Sequence, residues 1–342
     1  MTLPPITSTG RLPRNEYLDI SKGVLMFLVV WGHMIQFIAY GDDMGYLQNP
    51  IFKAIYTFHM PLFMAISGYL TFGSIQKHAW FPMVMRRFKQ LIVPAFVGSA
   101  IFCGIISITA ILYHGANIRE TLVHFPLFVF KTASTFWFLW AIFLFTLIIA
   151  TLKTVRLDTA LFMTIVFVIY LFLPPLGKDY LFRFTLPFFC IGYVLARVGI
   201  PSFVLKKSVG IAAAVISVGL YLLWSEDDYI YVSQMFINQA NLPHILMRLV
   251  CGIIVSIAVL HGLSAVYKTP PLRVFSAIGK RSLEIYILHS LVLKLLPERA
   301  LPLNPVVTAA VVAPVLALAL CLLCSIGAGS PSRHSVSAPP AH

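Results

Sequence analysis

The chain has 342 residues, a length that two soluble domains would ordinarily fill. Its composition excludes that class, because hydrophobic residues make up 59% and charged residues only 11%, whereas soluble proteins are about 25% charged. The net charge of +13 is spread in small groups between apolar stretches. This distribution is typical of membrane topology signals and not of a nucleic-acid-binding face.

Apolar runs long enough to cross the hydrocarbon core as helices, about 20 residues each, occur along most of the chain. The predicted spans are 20–40, 51–73, 91–113, 136–152, 159–175, 180–198, 208–224, 246–265, 282–296 and 306–326. They predict an all-α, polytopic membrane bundle of about ten transmembrane helices. A cytoplasmic basic arm, 1–16, precedes this transmembrane domain, 17–326, and the Ser- and Pro-rich segment 327–342 is expected to be a disordered cytoplasmic tail.

The charge distribution predicts how the bundle is oriented. If the amino terminus is cytoplasmic, the cytoplasmic loops and span ends carry the whole net charge of +13 and the opposite side is neutral. This asymmetry follows the positive-inside rule, so both termini are expected in the cytoplasm. No cleavable signal peptide is expected, because Lys22 lies in the first apolar run and no small-residue cleavage site follows.

The first predicted span carries a lysine and a histidine on one face. Lys22 and His33 are eleven positions apart, which places them within about 20° of each other around an α-helix and about 16 Å apart along it. Asp19 lies one turn before Lys22 and can pair with it. Ionisable side chains within spans are costly and are functional candidates by default. The alternative interpretation of Lys22 is a snorkelling topology anchor.

The second predicted span carries His59. We expect His59 about 12 Å and His33 about 10 Å below the outer boundary, so that the two histidines reach similar depth. Pro61 is expected to kink the helix just below His59, and Ser67 and Gly68 to allow close approach of another helix or a ligand. For both histidines the alternative role is hydrogen bonding between helices.

Other candidate residues lie further along the chain. Arg86 and Arg87 precede the third span and are either an anionic-ligand site or a topology signal. Trp137 is either an interfacial belt residue or a ligand contact, and His289 in the ninth span is either structural or functional. The acidic run at 226–228 is expected to be a solvated loop, within the connection 225–245 that we suggest for acceptor contact.

The cysteines give no metal or disulfide framework. All five lie in apolar segments, where cysteine is usually a small buried hydrophobe. Cys321 and Cys324 form a CxxC motif, but no second pair or nearby histidine completes a metal site. We therefore expect no bound metal.

These residues, in this order, resemble membrane acyltransferase family 3, which includes sugar and polysaccharide O-acetyltransferases. The family has an arginine, ten residues and a histidine in its first span, and here Lys22 occupies the arginine position before His33. This replacement and the segment Phe58–Tyr69 resemble the subgroup related to fucose 4-O-acetylases. Further matches are Arg86, Arg87 and Pro94, the segment Trp137–Leu139, and the segment Gly279–His289.

The resemblance implies an enzyme of the inner (cytoplasmic) membrane that moves an acyl group, usually acetyl, from cytoplasmic acyl-CoA to a hydroxyl of a sugar or exported polysaccharide. Acetyl-CoA is then a donor substrate, and no bound cofactor is implied. The implied partners are acyl-CoA, a carbohydrate acceptor, the lipid bilayer and polysaccharide-biosynthesis proteins, without nucleic acid. By resemblance, catalysis is assigned to His33, Lys22 and His59, donor binding to Arg86, Arg87 and Lys22, and substrate contacts to Asp19, Trp137 and His289.

Elementary chemistry agrees with this assignment at two points. A neutral imidazole can take a proton from a sugar hydroxyl near neutral pH, so His33 is expected to be a general base, or alternatively a nucleophile that accepts the acyl group. A basic cytoplasmic face favours the approach of a polyanionic acyl-CoA. The competing function is a proton-coupled transporter or flippase with a relay through Lys22, His33 and His59, although the sequence lacks the internal repeat that many transporters have.

Overall fold

The computed structural model describes residues 16–41, 44–177, 179–295 and 304–327. This part of the chain contains helices and no strand, which confirms the all-α prediction. The predicted basic arm, 1–16, and the predicted tail, 327–342, lie outside the described residues except for Glu16 and Gly327.

Most of the helices follow one another with short connections, and a longer loop, 224–241, joins α10 to α11. The first seven are α1 (Glu16–Met34), α2 (Pro50–Tyr56), α3 (His59–Lys77), α4 (Trp80–Arg87), α5 (Val93–His114), α6 (Ile118–Ser134) and α7 (Trp137–Thr154). The others are α8 (Ala160–Phe172), α9 (Tyr180–Val198), α10 (Lys207–Leu223), α11 (Leu242–Val266), α12 (Arg273–Lys280), α13 (Ser282–Leu293), α14 (Pro305–Val307) and α15 (Ala313–Gly327). Turns of π-helix extend α1 and join α4 to α5 and α14 to α15; they are Ile35–Tyr40, Phe88–Ile92 and Thr308–Val312.

Six helical segments in the described part of the chain are long and apolar enough to cross a membrane. They are Glu16–Tyr40, Trp80–His114, Trp137–Thr154, Tyr180–Val198, Leu242–Val266 and Pro305–Cys324. Three shorter apolar helices, α8, α10 and α13, lie at other predicted spans, and α3 occupies most of the second. The count of ten spans and the cytoplasmic termini stay predictions.

The second predicted span, 51–73, is two helices and not one. Helix α2 ends at Tyr56 and α3 begins at His59, with Phe58 between them at φ −144° and ψ −23°. Pro61 therefore lies in the first turn of α3, where proline breaks no hydrogen bond that the helix needs. The predicted kink below His59 is wrong, because the helix already begins at that histidine.

Helix α6 was not among the predicted spans. Its amino terminus is capped by Asn117, whose Oδ1 accepts a hydrogen bond from the Glu120 backbone N–H at 3.2 Å. The helix packs along α5. Its charged residues at 119, 120 and 131 interrupt the hydrophobic run, which is why a search for apolar segments does not find it.

Helices α1, α3, α7 and α9 contribute most to the interior of the bundle, since each carries at least eight buried residues. Helices α5, α8 and α10 expose large apolar residues instead, including Ile105, Ile165 and Val215. Apolar surface of this kind suits contact with lipid chains. The inner helices therefore hold the positions at which polar side chains can be placed relative to one another.

Helices α3 and α9 cross with their backbones in contact. A Cβ atom at Gly68 would overlap the carbonyl oxygen of Phe189, and one at Gly192 would overlap that of Ala65. Small residues let helices approach this closely in membranes. The expected close approach at Gly68 is thus made by α9.

Helices α1 and α12 make a second crossing of the same kind. A Cβ atom at Gly23 would overlap the carbonyl oxygen of Phe275, and one at Gly279 would overlap that of Asp19. Gly279 opens the segment that leads through α13 to His289. This crossing therefore fixes α1, which carries His33, against the part of the chain that carries His289.

The crossing at Gly68 gives a stability prediction. We expect Gly68→Ala to destabilise the protein by about 1–3 kcal/mol, because the added methyl group must push α3 and α9 apart. The matched control is Gly73→Ala in the same helix, where a Cβ atom meets nothing within 4 Å. The control should be neutral or more stable by up to about 1 kcal/mol, since alanine is the better helix former. Thermal unfolding in detergent measures both, and equal losses would contradict the role of Gly68.

Candidate active site

Three histidines from three helices approach one another in the interior. His33 of α1 stacks on His289 of α13, with ring centroids 5.5 Å apart and an interplanar angle of 29°. His59, at the start of α3, is near enough to His33 for the two rings to interact electrostatically. His59 and His289 are buried, and His33 is partly exposed. The structure thus adds His289, from the other end of the sequence, to the pair expected in the first two spans.

The three imidazoles differ in their hydrogen bonds. His59 Nδ1 donates to the Ile55 carbonyl oxygen at 2.8 Å, and His289 Nδ1 donates to the Ile285 carbonyl oxygen at 2.9 Å. In a neutral ring this fixes the tautomer and leaves Nε2 as the acceptor. His33 Nδ1 is buried and has no hydrogen-bond partner. His33 therefore has a ring nitrogen that a substrate hydroxyl can use.

Aromatic rings enclose these histidines. The Tyr56 ring lies 4.6 Å from His59, and the Tyr286 ring 5.5 Å from His289. Phe37 stacks on the outer side of His33 at 6.0 Å. Among the described residues, no group of three or more His, Cys, Asp or Glu side chains is arranged to hold a metal ion. The arrangement suits proton transfer in surroundings that exclude most water.

A cavity of about 30 Å³ lies beside His59. Its walls include Tyr56 and Trp137, so the structure places the predicted ligand-contact tryptophan next to His59. Trp224, Tyr229 and Tyr231 of the 224–241 loop close another side. Burial raises the pKa of Tyr229 above the usual range for tyrosine, so its side chain is a neutral phenol. The volume is enough for a water molecule or a hydroxyl group.

Two charged residues in this cavity wall were not predicted. Arg248 of α11 is 1% exposed and Asp228 of the loop is 4% exposed. Asp228 accepts hydrogen bonds from Ser225 N and Oγ at 2.8 and 2.9 Å, and it pairs with His244 Nδ1 at 2.7 Å. The prediction of a solvated acidic run is therefore wrong for Asp228, because its carboxylate is buried and forms these contacts within the protein.

A sequence signal for Arg248 was present. It lies within the predicted span 246–265, where an ionisable residue is a functional candidate by default. Arg183, within the predicted span 180–198, carries the same signal, but it pairs with Asp179 at 2.7 Å. The span pattern alone does not separate the two arginines.

Lys22 and Asp19 lie at the other end of α1. Lys22 Nζ is 3.0 Å from Asp19 Oδ1, which is the predicted ion pair. Helix α1 is continuous from this pair to His33, so the eleven-residue spacing separates Lys22 from His33 by about 16 Å along the axis. The structure therefore does not bring Lys22 into the histidine cluster.

The basic pair before the third predicted span also lies far from the histidines. Arg87 Nη2 donates to Thr71 Oγ1 at 3.2 Å, and Arg87 Nε is buried without a partner. Arg86 is exposed, and its Nη1 donates to His78 Nε2 at 3.3 Å. Thr71 is twelve residues beyond His59 in α3, which is about 18 Å along the helix.

Both basic sites lie at the same end of the bundle. Leu18, next to Asp19, and Tyr69, two residues before Thr71, line one apolar cavity, which residues of α9 and α11 also line. The ion pair of Lys22 and the guanidinium of Arg87 are therefore on one side of the molecule, and the histidines are deeper along the same two helices.

Comparison with known proteins gives a family match and two curated relatives. A family described as an acyltransferase domain matches residues 15–326. A nodulation protein NolL from Sinorhizobium fredii is 32% identical over 252 residues, which are 70% of this chain and 66% of the relative. A nodulation protein NolL from Mesorhizobium japonicum is 29% identical over 234 residues, 67% of this chain and 61% of the relative.

The chain therefore spans less than two thirds of the length of either relative. No solved structure matches it. The family match extends from the start of α1 to the end of α15, and it includes Lys22, His33, His59, the basic pair, Trp137 and His289. The chain thus belongs to the acyltransferase family, as the order of its motifs predicted.

Proposed function

We propose that this protein is a membrane O-acyltransferase that moves an acetyl group from cytoplasmic acetyl-CoA to a hydroxyl of a sugar or of an exported polysaccharide. The observation that carries the proposal is the stacked pair of His33 and His289, with an unpartnered ring nitrogen on His33. The pair lies in the interior of a chain of the acyltransferase family.

His33 is the general base in this mechanism. A sugar hydroxyl is a poor nucleophile until a base removes its proton, and a neutral imidazole can do so. The hydroxyl oxygen then attacks the thioester carbonyl carbon, the carbon–sulfur bond breaks, and the thiolate leaves with the proton that His33 had accepted. Stacking on His289 restricts the orientation of the His33 ring during these transfers. In the alternative, His33 itself accepts the acyl group before the sugar does.

The basic end of the bundle is the donor side in this scheme. The Arg87 Nε–H has no protein partner, and guanidinium groups bind phosphate through paired hydrogen bonds. Lys22 is a second positive charge at that end, oriented by Asp19. With the phosphates held there, the flexible arm of the thioester extends along α1 and α3 toward the histidines. This separation of about 16 Å lets a cytoplasmic donor meet an acceptor deeper in the membrane.

We also propose the location, the donor substrate and the partner proteins of this enzyme. It lies in the inner membrane, uses acetyl-CoA as a substrate and not as a bound cofactor, and works with polysaccharide-biosynthesis proteins that supply or export its acceptor. The large apolar residues exposed on α5, α8 and α10 support contact with the lipid bilayer.

The role of His33 gives the first activity prediction. We expect His33→Ala to lower acetyl transfer by at least 100-fold, because general-base catalysis contributes factors of about 10²–10⁴. The measurement is free thiol released from acetyl-CoA by purified protein with methyl glycosides of fucose, glucose and N-acetylglucosamine. The matched control is His114→Ala, which removes an exposed histidine at the end of α5 and should keep wild-type activity.

Three results of that experiment would count against the proposal. Near-normal transfer by folded His33→Ala would remove His33 from the mechanism. An equal loss in His114→Ala would show a general effect of histidine removal. If the folded wild-type protein released no thiol with any acceptor of the panel, the transporter or flippase would be favoured.

The role of Lys22 is tested with acetyl-CoA as the varied substrate. Lys22→Arg restores the residue that the family usually has at this position and should retain activity, whereas Lys22→Ala should raise the KM for acetyl-CoA by about 10-fold through loss of a charge-assisted contact. Lys268→Ala is the control, because Lys268 is exposed outside the helices. Equal kinetics of Lys22→Arg and Lys22→Ala would make Lys22 a topology anchor only.

A further inference from the structure

Arg248 has two hydrogen-bond donors that no protein group uses. Its Nη1 donates to the Ser233 carbonyl oxygen at 2.6 Å and to that of Tyr229 at 3.3 Å. Its Nε and Nη2 are buried without any hydrogen-bond partner. Leaving such donors unsatisfied in the interior costs free energy, so native proteins rarely do it without a reason.

Arg183 shows that this fold can satisfy a buried arginine completely. Its side chain is also 1% exposed. Its Nε and Nη2 donate to Asp179 Oδ2, and its Nη1 and Nη2 donate to backbone carbonyl oxygens at 170, 173 and 174. Burial in this bundle therefore does not by itself leave a guanidinium unsatisfied, and the two open donors of Arg248 need another explanation.

Arg248 is one of the residues that line the cavity beside His59. The other walls of this cavity include Tyr56, Trp137 and Trp224, and Tyr231, which is 40% exposed, lies where it meets the surface. Aromatic walls with a few placed polar groups are typical of small-molecule sites. The free volume of about 30 Å³ takes the hydroxyl-bearing edge of a ligand and not a whole ring.

The charge in this cavity disfavours an acidic ligand. Asp228 lies in the same wall as Arg248, and its two carboxylate oxygens are occupied by Ser225 and His244. It balances the charge of Arg248 without filling the open donors. Because the two charges offset each other, a ligand carboxylate would lose its hydration without a net electrostatic gain, whereas a neutral hydroxyl oxygen can accept from the guanidinium without that cost.

We propose that Arg248 is an acceptor-binding residue whose Nε and Nη2 donate hydrogen bonds to hydroxyl oxygens of a neutral sugar held beside His59 and Trp137. This inference rests on the proposed function and adds the class of acceptor and the residue that selects it. The sugar edge fills the cavity, and its remaining hydroxyls face the side where His59 leads to His33.

The kinetic test separates acceptor binding from donor binding. Arg248→Lys and Arg248→Gln should raise the KM for the methyl glycoside acceptor by 10-fold or more and leave the KM for acetyl-CoA unchanged. Arg248→Lys should not rescue, because a single ammonium cannot replace the planar pair of donors. The control Arg183→Lys should lower thermal stability and change neither KM. An unchanged acceptor KM, or equal rises in both KM values, would overturn the proposal.

A binding test uses the wild-type protein and needs no turnover. Trp137 and Trp224 line the cavity, so methyl glucoside should change the intrinsic tryptophan fluorescence and methyl glucuronide should bind at least 10-fold more weakly. Tighter binding of the glucuronide would overturn the proposal, even if the Arg248 variants fail to fold. Sugar binding without acetyl transfer would reject the proposed function and keep the sugar site. Acetyl transfer with normal acceptor kinetics in Arg248→Gln would keep the proposed function and reject the role of Arg248.

Discussion

Backbone contact between helices at glycine is the constraint on which the rest of this structure depends. In a membrane the helices cannot be held together by hiding apolar surface from water, so close packing has to supply the attraction. Gly68 and Gly192 bring α3 and α9 into contact, and Gly23 and Gly279 do so for α1 and α12. Because these helices carry or adjoin the polar side chains of the interior, the two crossings fix where those side chains meet.

Buried donors and ring nitrogens without a protein partner are the atoms to which we assign the proposed substrate contacts. Three such residues have buried nitrogens without partners: His33 at Nδ1, Arg87 at Nε and Arg248 at two nitrogens. Arg183 instead donates hydrogen bonds to Asp179 and to nearby carbonyl oxygens. The contrast separates a structural arginine from an available one. Arg87 lies at the basic end of the bundle and the other two lie near His59, which suits the proposed reaction between a donor and an acceptor that arrive from different sides.

The arrangement along α1 and α3 suits the charged donor and the neutral acceptor that we propose. The ion pair of Lys22 with Asp19 and the partly buried Arg87 lie at one end of these helices. His33 and His59 lie about three helical turns away, where aromatic rings limit water. In the proposed reaction, the polyanionic part of the donor stays at the basic end, and only its reactive arm enters the interior.

The sequence by itself determined the helical class, the Asp19–Lys22 pair and the spacing of Lys22 from His33, because composition and contacts within one helix depend on neighbouring residues only. It also predicted the acyltransferase family through motifs read in order. Only the tertiary structure decided that His289 stacks on His33, that Asp228 is buried and that Arg248 keeps two open donors. These contacts join segments far apart in the chain, and helix packing, which no local pattern encodes, sets which of them meet. The break before His59 was also missed, because the apolar sequence continues past the point where the helix is interrupted.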